Sequence, residues 1–149
     1  MSVVSWLQSI AKTKFLWRLL KLNQRISEIV ADYPKKYRAN YGDHLINIAL
    51  KAMTCAQVGN SIFMHPGLSD MEYNTRRDYL RRAKGYTDSI ATVAYVFLEL
   101  TATVDGVNRG KILRQEEEIG LECREISKMI DGVLDNDRKI RNSRQSRQA

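Results

Sequence analysis

Ile112, Ile119, Ile126 and Val133 recur every seven residues, with Cys123 and Ile130 between them. A helix turns once in about 3.6 residues, so a seven-residue step returns each side chain to nearly the same face. A stripe of this kind cannot stay in water and needs facing helices to cover it. The seam therefore points to helix packed on helix, and it marks a helix from about Lys111 to Leu134.

Three earlier segments carry the same periodicity. The first runs from about Val4 to Val30, with Leu7, Ile10, Ala11, Phe15, Leu19, Leu22, Ile26, Ile29 and Val30 spaced by threes and fours. Asp32-Tyr33-Pro34 ends it, because the residue before a proline is pushed out of the α region. Residues 1–12 are either the start of this helix, a separate helix or an arm. The second segment runs from Asp43 to Phe63. Its stripe of Leu45, Ala49, Ala52 and Ala56 implies close approach to a neighbour, with Ile48, Met53 and Ile62 beside it. The loop "MHPGLSD" follows, marked by its Pro-Gly pair. The third and longest segment runs from Asp70 to Thr103. Ser69 with Glu72 reads as a capping box. Tyr79, Leu80, Ala83, Tyr86, Ile90, Val93, Ala94, Phe97 and Leu100 give it a wide apolar face. "VDGVNRG" is a turn.

No segment alternates as a strand would. The expected fold is all-α: an up-down-up-down four-helix bundle over residues 1–134, with an N-terminal extension. From Asp135 the pattern gives way to "DNDRKIRNSRQSRQA", which reads as a basic tail over residues 135–149, disordered or only partly helical.

A chain of 149 residues fits one domain with a core of its own. Cys55 and Cys123 have apolar flanks and read as buried small hydrophobes, which suits a reducing compartment. No apolar run approaches the ~20 residues that span a bilayer. The opening "MSVVSWLQSIAKTKFLW" makes a poor signal peptide. The expected location is the cytoplasm.

Catalysis finds little to work with. His44 and His65 lack a helical partner at metal-ligand spacing, no glycine-rich phosphate loop follows a strand, and Glu116–Glu118 read as a solvated face. Neither an enzyme, a metal nor a cofactor is expected.

The positive charge is more informative. The chain carries a formal +7 and its isoelectric point is near 9.5. Within "RRDYLRRAK", Arg77, Arg81 and Lys84 share one helical face, with Arg76 and Arg82 on its flanks. Asp78 is placed to pair with Arg82. Lys35, Lys36 and Arg38 sit in the first joint, and Arg109, Lys111 and Arg114 in the last. In an up-down-up-down bundle those two joints meet at one end. Arg138, Lys139, Arg141, Arg144 and Arg147 stud the tail. Clusters of this kind hold phosphates without reading sequence. The rival readings are a structural bundle that meets acidic proteins, and a membrane-surface helix built on Trp6, Trp17, Lys12, Lys14 and Arg18. No membrane partner is expected.

"YPKKYRANYGDHLINIALKAMTCAQVGN", residues 33–60, resembles the joint and second helix of a family of small bacterial four-helix-bundle proteins. Pro34-Lys35-Lys36, Leu45, Ala49 and Gly59-Asn60 carry the likeness. "RRDYLRRAKGYTDSIATVAYVFLEL", with Tyr79-Leu80 and Ala83, is similar to the family's third helix, and "EIGLECREISKMIDGVL" to its closing helix. The resemblance covers residues 14–134. One branch of the family comprises the accessory variability proteins of diversity-generating retroelements. The other comprises proteins encoded in intervening sequences of ribosomal RNA genes. This chain departs from both in its N-terminal extension, its loop "FMHPGLSDMEYN" and its longer basic tail. It has "QVGN" where the intervening-sequence branch often has Ala-Glu-Gly, which favours the retroelement branch.

The resemblance implies a homopentameric basic barrel that binds RNA or DNA and a partner reverse transcriptase. The corresponding candidate contacts are Lys35, Lys36, Arg38, Arg76, Arg77, Arg81, Arg82, Lys84, Arg109, Lys111 and Arg114.

Overall fold

A computed structural model describes residues 13–148, with side chains through residue 143. The expectations placed on residues 1–12, and on the side chains of Arg144 and Arg147, lie outside the described residues. The described residues form four α helices: α1 (Lys14–Asp32), α2 (Asp43–Ser61), α3 (Asp70–Thr101) and α4 (Arg109–Gln148). No strand occurs among the described residues. Each helix packs on its neighbours in sequence, and α1 closes onto α4.

The apolar stripes of the sequence are the core. Phe15, Leu16, Leu19, Leu22, Ile26, Ile29 and Val30 of α1 are all buried. On α2, Leu45, Ala49, Ala52 and Ala56 have no exposed surface at all. The three alanines present only methyl groups, so α2 comes close to α3. At Gly59 even a methyl is excessive: an added Cβ would lie 2.9 Å from Leu80 Cγ and 3.2 Å from the Arg76 carbonyl oxygen. Ile112, Ile119, Cys123, Ile126 and Ile130 complete the core from α4, and burial pushes the Cys123 thiol up to about 12. Cys55 is half-buried, and both thiols are free.

The capping box at α3 forms. The Ser69 hydroxyl accepts from the Glu72 amide at 3.2 Å and donates to the Glu72 carboxylate at 3.0 Å. The carboxylate thus accepts a hydrogen bond from the hydroxyl.

The joint after α1 is itself wound. A 3-10 turn over Lys35–Tyr37 runs into a π turn over Arg38–Gly42, which leads directly into α2. Gly42 is buried under the bundle's end, where an added Cβ would sit 2.8 Å from Val30 Cγ1 and 3.3 Å from Phe97. Tyr33 packs edge-on against Phe97, with ring centroids 6.3 Å apart.

The tail departs from expectation. Residues 135–148 are not a disordered arm but the last turns of α4, which is one helix of 40 residues. The seven-residue series extends past Val133 to Ile140, and the series of Cys123 and Ile130 extends to Asp137. Asp137 is buried, and Arg76 of α3 donates to it from Nε at 2.6 Å and from Nη2 at 3.3 Å. One turn on, Arg141 pairs with Asp70 and donates to the Leu68 carbonyl. Two anchors therefore hold the segment to the loop and the start of α3: a buried ion pair and an arginine clamp.

Candidate nucleic-acid interface

The two basic joints meet. Lys111 of α4 lies 4.0 Å from Asp32 at the end of α1 and stands over the Tyr33 ring. The Tyr33 hydroxyl donates to Gln115 of α4, and burial raises its pKa. Tyr37, in the joint, bonds the Thr103 side chain just after α3.

Half of the six candidate cations there, Arg109, Arg38 and Lys111, are already engaged. Arg109 forms a two-pronged pair with Glu99 at 2.9 and 3.1 Å. Arg38 does not face outward; its guanidinium donates to the carbonyls of Ala31 and Tyr33 and so closes the end of α1. Lys35, Lys36 and Arg114 are exposed and have no carboxylate partner among the described residues. Lys36 rests over the Tyr37 ring.

A carboxyl pair lies beside Arg109. Glu116 is half-buried against Glu99, and one of its oxygens is buried without a hydrogen-bond partner. Burial first, and the Glu99 carboxylate next, push Glu116 up to about 7. Glu99, held by the Arg109 guanidinium, moves the other way. Glu116 is thus not the plain solvated position that its "EEE" setting suggests.

The arginine cluster of α3 divides. Arg76 is removed from the candidate interface: it is 7% exposed, and besides Asp137 it donates to the carbonyls of Gly59 and Ile62 at 3.3 and 3.0 Å. Those carbonyls lie at the C-terminal end of α2, where the helix itself supplies few donors; the Gly59 oxygen also accepts from the Ile62 amide at 3.3 Å. Arg76 is therefore an internal clamp joining α2, α3 and α4. Arg77, half-buried, is braced by the Tyr73 hydroxyl at 3.1 Å. Arg81 is exposed without a carboxylate partner among the described residues. Arg82 lies over the Tyr79 ring, 5.2 Å from its centre, instead of pairing with Asp78. Lys84 meets Asp131 of α4 at 3.0 Å, and that bond raises its pKa.

Arg77, Arg81 and Lys84 face α4 across a cleft. The upper part, about 340 Å³, is lined by these three with Leu134, Asp131, Asp135 and Arg138. Lys84 and Asp131 also border a second hollow of about 610 Å³, which continues between the same helices past Lys128 and Arg124. The two hollows form one groove, with six cations and four carboxylates on its walls. Arg124 and Lys128 were not among the residues singled out from the sequence. Their i, i+4 spacing on α4 is the signal that could have found them. Among the described residues no cluster of metal-binding side chains occurs, and no helix is long and apolar enough to cross a membrane. Searches of family models, of curated proteins and of solved structures give no match for the chain.

Proposed function

We propose that the protein is a non-enzymatic nucleic-acid-binding bundle that holds its ligand by phosphate contacts. The observation that carries this reading is the row Arg77, Arg81 and Arg82 on α3, none of which has a carboxylate partner among the described residues. Guanidinium groups that reach solvent and have no internal counter-ion can neutralise phosphates, and a polyanion then releases its condensed counter-ions. The exposed Lys35, Lys36 and Arg114 add a second positive surface at the bundle's other contact region.

Contacts between the two joints, and the closing of α1 onto α4, support an up-down-up-down order. The resemblance to retroelement accessory proteins supports a more specific role in the cytoplasm: a homo-oligomer, pentameric by that likeness, that presents template RNA or its complementary DNA to a reverse transcriptase. Titration of a labelled oligonucleotide between about 50 and 200 mM salt tests the core of this reading, with affinity expected to fall steeply. Affinity that does not change across that range would refute it.

A second reading has its own support. Arg18, Arg25, Lys84 and Arg109 all meet carboxylates within the chain, so much of the net charge is dispersed in internal ion pairs. A structural or protein-interaction bundle of the intervening-sequence type would need no more than this. It predicts no shift of any oligonucleotide at physiological salt.

A further inference from the structure

The groove between α3 and α4 has walls of mixed chemistry, and its position is the feature to explain. Cations enter it from both sides: Arg77, Arg81 and Lys84 from α3, and Arg138, Lys128 and Arg124 from α4. Apolar groups lie between them, with Leu134 in one hollow and Ala91 and Leu121 in the other. Leu121 is 55% exposed. Arg77 is held in place by Tyr73. From Arg124 to Arg138 the groove follows α4 for about 21 Å, at ~1.5 Å per residue.

Helices in contact lie about 8–10 Å apart, axis to axis. A cleft between two of them is narrower than a nucleic-acid duplex, whose major groove alone is ~12 Å wide. A duplex would meet only the rim. It would also turn just phosphate and sugar toward the protein, leaving Leu121 and Leu134 without a partner. A single strand has both chemistries on one narrow chain: phosphates for the cations and unstacked base faces for the apolar groups. The carboxylates Asp88, Glu117, Asp131 and Asp135 stand on the walls of the same groove. They repel a second phosphate chain and so act against a duplex lying across both helices.

We infer that this groove is a track for a single-stranded nucleic acid, about four to six nucleotides long, with Arg81 and Arg138 at its phosphate-holding end. The inference rests on the nucleic-acid-binding reading above and adds strandedness, location and footprint to it. The Lys84–Asp131 pair in mid-groove and the Arg138–Asp135 pair at its end, 2.8 Å apart, are both open to solvent, and pairs of that kind are weak enough to open for a phosphate. The joints, with Lys35 and Lys36, are not part of the track.

Fluorescence anisotropy on the full chain tests it, using a labelled 12-nucleotide oligouridine and a labelled 12-base-pair RNA duplex. The single strand is expected to bind at least tenfold more tightly than the duplex. The double variant R81S/R138S should lose at least tenfold in affinity for oligouridine, whereas K35S/K36S should change it less than twofold. Asp135→Asn, which removes a wall carboxylate and leaves the fold's core alone, should tighten binding about two- to threefold. Duplex affinity equal to or above that of the strand overturns the inference, as does a larger loss from K35S/K36S than from R81S/R138S. In either case the broader reading survives, since a polynucleotide is still bound. If neither probe binds even at low salt, the broader reading falls and the track with it.

Discussion

Arg76 and Asp137 form an ion pair inside the bundle, with Nε 2.6 Å from Oδ2 and both side chains less than a tenth exposed. The arginine's remaining donor closes the end of α2, so one guanidinium on α3 satisfies groups of both α2 and α4. Breaking a buried pair by removing one partner costs about 3–5 kcal/mol, because a charge is left without its counter-ion. Arg76→Met is expected to cost that much in urea unfolding. The double variant R76M/D137L should recover part of the loss, but not all, since the Ile62 carbonyl loses its arginine donor and the Gly59 carbonyl keeps only the Ile62 amide. Equal stability of wild type and R76M would show that the pair is not closed in solution.

The same pair makes the C-terminal segment structural. A chain ended after Leu134 loses Asp137, Ile140 and Arg141 and strands Arg76. It is expected to melt well below a chain ended after Ser143, which keeps all three. Circular dichroism melts of the two truncations decide the matter, and coincident curves would return residues 135–143 to the status of a loose tail.

Glu116 makes stability depend on pH. Its folded pKa, about 7, lies above the 4.5 of an ordinary glutamate. The unfolded chain therefore ionises first, and the protonated form favours the folded state. Its contribution is fully present below about pH 4.5 and is lost as pH rises through about 7. Glu116→Gln, neutral at every pH, should raise the melting temperature at pH 8 and flatten its decline between pH 5 and 8. A decline of unchanged steepness in the variant would assign it to other groups.

Charge reversal separates the cations that are free from those already paired. Arg77→Glu with Arg81→Glu should abolish oligonucleotide binding while leaving the helical signal intact. Arg109→Glu should weaken it much less, because Glu99 already neutralises that guanidinium. For a single strand of about four to six contacted phosphates, the slope of log affinity against log salt should lie between about −3 and −4, at ~0.7 per phosphate. A reversed order of the two variants in a mobility-shift assay would move the interface to the joint.

Gly59→Ala tests the closeness of α2 and α3. Its Cβ would approach the Arg76 backbone oxygen to 3.2 Å, and a backbone atom cannot swing aside. A loss of about 1–3 kcal/mol is expected from overpacking. Chemical denaturation reads it directly, and an unchanged midpoint would mean that the two helices can part at little cost.

Periodicity made the four helices, their buried faces and the Ser69 cap legible from the amino acids alone, because these follow from local geometry: which side chains share a face, and which hydroxyl can reach a free amide. The series through Ile112 even continued to Ile140, but basic neighbours hid it, and composition outweighed spacing in the reading of residues 135–149. What the order of residues could not state was which of its many cations meet a carboxylate. Arg76 and Arg77 are adjacent in the chain and alike in chemistry. A helix advances about 100° per residue, so one turns inward to Asp137, 61 positions away, and the other outward to the groove. That choice depends on how α4 lies against α3. Only the tertiary structure, which sets distances between residues far apart in the chain, decides whether an arginine is a clamp or a contact.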